Sequence, residues 1–198
     1  MTSHLTSVGD GFLAGCYVLT ALDLTPLAHL TSIGDAFLTD CRGLTSFGQI
    51  PRAQLIHVGD AFLASCVGLT SVDLTPLAHL TRIGDAFLRG CVGLTSVNVT
   101  PLARLTGVGD GFLADCRALT LVDLTPFVRV TDVGSSFLDG CVALTSLDVT
   151  SLAHLMKVGD WFLAGCATLA SVDLSITFVV LSRTPSLTLA TRPPRRIL

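Results

Sequence analysis

The chain has 198 residues, half of them apolar and 14% charged, with a formal net charge of −3. That length suits one domain with a sizeable core, and so small a charge does not argue for nucleic acid or an anionic membrane as partner. The longest candidate apolar stretch, Ile176 to Leu181 with Thr177 inside it, falls far short of the roughly 17 residues a membrane span needs.

In chain order, the first residues carry no basic start and no continuous apolar segment, so they do not read as a secretory signal. This points to the cytoplasm; a chain that is a piece of a longer protein would instead sit at the cell surface. Ser3-His4-Leu5-Thr6-Ser7-Val8-Gly9-Asp10 matches Ala28-His29-Leu30-Thr31-Ser32-Ile33-Gly34-Asp35, so the chain enters a repeat in mid-unit. The period is 25 residues: Cys16, Cys41, Cys66, Cys91, Cys116, Cys141 and Cys166 keep it without insertion or deletion, as do glycines from Gly9 to Gly159 and phenylalanines from Phe12 to Phe162. A fixed period of this length means a solenoid, in which each unit buries its apolar face only against its neighbours. All fifteen acids are Asp and eleven of the twelve basic residues are Arg, a bias that repetition of one ancestral unit accounts for.

Within the unit from Leu69 to Gly93, Val72 and Leu74 share one face and Ser71 and Asp73 the other, which predicts a strand over Leu69–Leu74. The same phase predicts parallel strands at Leu19–Leu24, Leu94–Val99, Leu119–Leu124, Leu144–Val149 and Leu169–Leu174, joined by right-handed crossovers. Thr75-Pro76 ends the strand, and Leu80-Thr81-Arg82-Ile83 reads as a second, shorter extended segment closed by Gly84. Phe87, Leu88 and Cys91 then meet at i, i+1 and i+4, which predicts one helical turn with Asp85 as N-cap. The residue after that Asp is small in six units and becomes Trp161 in the last, an expected cover for the end of the core.

The pattern Leu69-x-x-Val72-x-Leu74, Pro76, and then Ile83-Gly84-Asp85-x-Phe87-Leu88-x-x-Cys91 resembles the leucine-rich repeat and, within it, the BspA-like subclass. The resemblance runs from Leu5 to Leu174, with units two residues longer than that subclass usually shows. It implies an α/β repeat solenoid of about seven units with a parallel sheet on the concave side, used to bind other macromolecules. Many members of the subclass are surface proteins.

Two places break the pattern. Around Gly48, Gln49 and Arg52 take apolar positions, and a local bulge that turns Ile50 inward would restore the spacing. After Leu174 the repeat dies. The predicted division is residues 1–175 as solenoid, 176–183 as an irregular C-terminal cap, and 184–198 as a disordered basic tail with prolines, arginines and no acid.

No unit supplies a nucleophile and base, a phosphate loop or a metal cluster, so the chain does not read as an enzyme and no cofactor or small-molecule substrate is expected. Seven cysteines in one phase, odd in number and without a Cys-x-x-Cys pair, read as buried reduced thiols rather than disulfides or metal ligands. The Gly-Asp series offers one carboxylate per unit, too few for calcium, and reads as capping. His4, His29, His79 and His154, with Gln54, Arg104 and Arg129 in the same phase, read as a solvated stripe rather than a zinc site.

The strand face opposite the core carries the candidate partner-binding residues: Ser71 with Asp73, Ser96 with Asn98, Leu121 with Asp123, and Ser146 with Asp148. Like charges stacked at strand spacing repel, so a cationic partner would recover stability there. The expected function is protein–protein interaction through this Asp and Ser face, with a basic partner favoured by its charge. The alternative is a fragment of a structural or adhesive cell-surface antigen.

Overall fold

The computed structural model describes residues 5–48, 50, 54–170 and 172. The cap and tail predicted for 176–198 lie outside the described residues, as do Gln49, Arg52, His4, Ser171 and Asp173.

Among the described residues, the four units over residues 44–143 contribute two short extended segments each, and their neighbours one. One set pairs in parallel, Ser7–Val8 with Ser32–Ile33 and then His57–Val58, followed by Arg82–Ile83, Gly107–Val108, Asp132–Val133 and Lys157–Val158. Among the described residues these seven strands, one period apart, bound six turns of a solenoid. The other set, Ser46–Phe47 with Ser71–Val72 and Ser96–Val97 with Leu121–Val122, also pairs in parallel and in 25-residue register. Of the expected strands, those in the Leu69–Leu74, Leu94–Val99 and Leu119–Leu124 segments are present but shorter than predicted, whereas the expected strands over Leu19–Leu24 and Leu144–Val149 do not form. The segment read as secondary, Arg82–Ile83, belongs to the more continuous sheet, a four-stranded one.

The long strand over Leu69–Leu74 is cut to Ser71–Val72 by its own sequel. Thr75–Leu77 forms a 3₁₀ turn with Pro76 early in it, where a missing donor costs nothing, and the same turn recurs at Thr25–Leu27, Thr100–Leu102, Thr125–Phe127 and Thr150–Leu152.

The predicted helical turn after Asp85 does not form. Ala86, Leu88 and Gly90 instead have φ of 55°, 55° and 71°, so every second residue is left-handed. This alternation aims successive N–H groups at opposite neighbours: Ala86 donates to Asp110 O at 2.6 Å and Gly90 to Ala114 O at 2.7 Å in the next coil, while Leu88 donates to Phe62 O at 3.0 Å in the previous one. A left-handed non-glycine residue costs on the order of 1 kcal/mol. The inter-coil bonds made by Ala86 and Leu88 and the complete burial of Leu88 offset it.

Asp85 is accordingly not an N-cap. Its Oδ1 accepts the backbone N–H of Asp110 at 2.8 Å, and the same bond recurs from Asp10 to Asp35, Asp35 to Asp60, Asp60 to Asp85, and Asp110 to Ser135. The Gly-Asp series is thus a ladder of staples between coils. From Gly34 onward glycine precedes the Asp for a steric reason: a Cβ on Gly109 would stand 2.5 Å from Asp85 Oδ1 and from the Gly84 carbonyl carbon and oxygen, while Gly9 in the first coil meets nothing.

The core runs along the axis. Phe12, Phe37, Phe62, Phe87, Phe112, Phe137 and Phe162 stack with centroids 5.2–5.9 Å apart, joined by Phe47 and Phe127 at an angle. Ile50 turns inward as expected and is buried. The seven cysteines are free thiols; Cys41, Cys66, Cys91, Cys116 and Cys141 are buried, and each donates its S–H to a leucine carbonyl 28 residues earlier at 3.1–3.2 Å. They are therefore cross-coil donors as well as apolar filler. Trp161 corrects another expectation. It occupies a left-handed position with φ 63° and is 59% exposed, so it does not seal the core, and the small residues in its row answer to backbone conformation.

Candidate functional site: the serine and aspartate face

The register brings the predicted residues into two rows. Ser71 and Ser96 lie exposed in one row with Leu121 and Ser146, and Leu121 keeps 58% of its surface open. Asn98, Asp123 and Asp148 are exposed in the adjacent row, and Asp73 is half-buried. A third row, Thr45, Thr70, Thr95, Thr120 and Thr145, is also exposed along the same edge. Thr70 and Thr120 donate their hydroxyls to the carbonyls of Thr45 and Thr95 at 3.1 and 3.2 Å, tying neighbouring coils together. The sequence reading passed over these threonines, although their strict period was visible in it.

Each acidic residue also has a local task. Asp73 Oδ1 accepts the N–H of Thr75 at 2.8 Å, two residues on, and so starts the 3₁₀ turn. Asp23, Asp123 and Asp148 do the same for Thr25, Thr125 and Thr150 at 2.8–2.9 Å, and Asn98 does it for Thr100 at 3.0 Å. The Thr25 hydroxyl and N–H together hold the Asp23 carboxyl below its ordinary range. A carboxylate that accepts one N–H keeps its charge and further acceptor positions. The row therefore combines fixed geometry with net negative charge, and Asn98 shows that the turn needs the acceptor and not the charge.

Elsewhere His29, Gln54, His79, Arg104, Arg129 and His154 are all exposed in one phase, as the stripe reading expects, with Arg104 Nη1 3.4 Å from His79 Nδ1. The thiols belong to the core: burial pushes Cys66 and Cys141 up to about 12 and Cys116 well above its ordinary value. What the serine and aspartate face offers is a rigid lattice of hydroxyls and carboxylates at coil spacing, suited to recognition. Among the described residues no helix is long and apolar enough to cross a membrane.

The same architecture occurs in solved structures. The chain is similar to a leucine rich cell surface protein from Faecalibacterium prausnitzii A2-165, with a TM-score of 0.65 and 21% identity over 85% of this chain and 42% of that one. It is also similar to a leucine-rich repeat protein from Bacteroides ovatus ATCC 8483, with a TM-score of 0.60 and 24% identity over 85% of this chain and 46% of that one. The chain thus spans less than half the length of either, and at these identities the likeness establishes the fold. No curated protein sequence matches it. The BspA type leucine rich repeat region, in six copies, matches residues 1–120 and 81–184. A 25-residue period, parallel strands in register and a match over nearly the whole chain agree, and the chain belongs to the BspA-type leucine-rich repeat family.

Proposed function

We propose that the protein is an interaction module and that its partner, a basic extended protein segment, lies along the serine and aspartate face. Membership of the family supports the general role of protein interaction or surface adhesion. The observation that carries the specific reading is the row Asp73, Asn98, Asp123 and Asp148, each held by its own turn so that little side-chain freedom remains to be lost on binding.

Reversal of these aspartates to lysine would also remove the acceptor that starts each turn. Asparagine keeps the acceptor, as Asn98 does naturally. The triple variant Asp73→Asn, Asp123→Asn, Asp148→Asn is therefore expected to melt like the parent yet bind a fluorescent Arg-rich peptide about tenfold more weakly, since exposed ion pairs contribute about 0.2–1 kcal/mol each. Equal affinity in parent and variant would place the binding surface elsewhere.

A second reading, a structural or adhesive antigen on a cell surface, is favoured by the description of the Faecalibacterium protein as a cell surface protein. Antibody against the stack should then label intact, unpermeabilised cells that express it; labelling only after permeabilisation would end that reading.

A further inference from the structure

The cations of the stack fall into two groups. Arg42 pairs with Asp40 at 3.3 Å, and Arg89 and Arg117 both reach Asp115 at 3.8 Å. Among the described residues no ion pair involves Arg82, Arg104, Arg129 or Lys157. These four come from four consecutive units and occupy two neighbouring phases, the turn position of Arg104 and Arg129 and the outward strand position of Arg82 and Lys157. All four are exposed, and His79 and His154 stand among them. The Arg82 guanidinium lies over Gly107 of the next strand, where no side chain intervenes. Asp132 is the carboxylate interleaved with this stripe, and its Oδ2 accepts the Thr131 hydroxyl at 2.7 Å. The Asp85 and Asp110 row lies at the following turn, with its Oδ1 atoms already taken by the staples.

We infer that this basic stripe docks on the serine and aspartate face of a second copy of the chain, so that copies associate through two different surfaces. The inference rests on the reading of that face given above and names its partner. The first argument is charge: one face carries Asp73, Asp123 and Asp148, the other Arg82, Arg104, Arg129 and Lys157, and a net charge of −3 leaves little overall repulsion between copies. The second is spacing. Both surfaces repeat with the same coil step, recorded by ring separations of 5.2–5.9 Å, so a second copy lays one cation per coil along a row that carries a carboxylate in three coils of four. An unrelated basic segment has to acquire that spacing; a copy of this chain has it by construction. The acidic face and the basic stripe are different surfaces, so the contact is heterologous and leaves one of each free for further copies.

The test is sedimentation of the full chain at about 0.01 M and about 0.15 M salt, between which the screening length falls from about 30 Å to about 8 Å. The parent should show mass rising with concentration at low salt and at least about tenfold weaker association at the higher salt. The variant Arg82→Gln, Arg104→Gln, Arg129→Gln, Lys157→Gln should remain a single chain at low salt, and so should the triple asparagine variant. An excess of Arg-rich peptide added to the parent should dissociate it, which tests the contact without any substitution. A parent that stays a single chain at low salt overturns the inference while leaving peptide binding by the serine and aspartate face intact. Association that persists in the glutamine variant, or that the peptide does not disturb, overturns it as well.

Discussion

Gly109→Ala is expected to destabilise the stack by about 3 kcal/mol or more, whereas Gly111→Ala, two residues along the same loop, should cost about 1 kcal/mol or less. The new Cβ at 109 would stand 2.5 Å from Asp85 Oδ1 and from the backbone of Gly84, none of which can retreat without breaking a staple. At 111 the added methyl meets Arg89 Cδ at 3.5 Å and Ala86 Cα at 3.6 Å, ordinary contacts, and alanine already occupies the equivalent left-handed position at Ala36, Ala61 and Ala86. Urea denaturation of both variants decides the matter. Equal midpoints would mean that coils separate easily and that the staple ladder is incidental. Asp85→Ala serves as a companion, since it removes the acceptor without the clash and should cost about 1 kcal/mol because water can reach the freed N–H of the exposed Asp110.

Above about pH 9 the protein is expected to lose stability steeply. Burial first of all pushes Cys66 and Cys141 up to about 12 and Cys166 up to about 11, and raises Cys41, Cys91 and Cys116 as well. In the unfolded chain the same thiols ionise near 9.0. Between these values the folded state holds protons that the unfolded state has released, so stability is full below pH 9 and falls as the pH rises. Each such thiol contributes a slope of up to about 1.4 kcal/mol per pH unit, and the six together up to about 8 kcal/mol per unit. With one tyrosine and one lysine in the chain, few other groups titrate in that window. The double variant Cys91→Ala, Cys116→Ala should be less stable at neutral pH, having lost two cross-coil bonds, yet its alkaline slope should be about two-thirds of the parent's. Urea midpoints that do not change between about pH 8 and about pH 11 would show the thiols to be accessible and the ladder open.

The architecture was legible because period is a property of the chain itself. The rows of Phe, Leu and Cys name the core residues without reference to conformation, and even the inward turn of Ile50 followed from counting. The loop after Asp85 was not legible. Phe87, Leu88 and Cys91 have the spacing of a helical turn, and no local preference would place Leu88 at φ 55°; the choice is made by the carbonyls of coils 25 residues away. The sequence assigned the two Asp series to an N-cap and to an exposed strand face, and neither assignment contains the bond that the carboxylate makes. Only the structure separates Asp85, which reaches the next coil, from Asp73, which closes its own turn. One hint was present, since asparagine at 98 preserves an acceptor and discards a charge.

The bonds that join coils connect residues 22 to 28 positions apart, with the Asp and Thr ladders at a step of 25. For the gene this creates an unequal tolerance of length changes. Loss or gain of a single codon inside a coil would shift Asp, Gly and Cys on one side of it out of phase with every partner on the other. Duplication or deletion of a block of 25 codons, wherever it starts, restores each donor to an acceptor of the same kind. Unequal recombination between near-identical units produces changes of that size, so related alleles should differ by whole coils, and the length of the stack should vary far more freely than the make-up of any one turn.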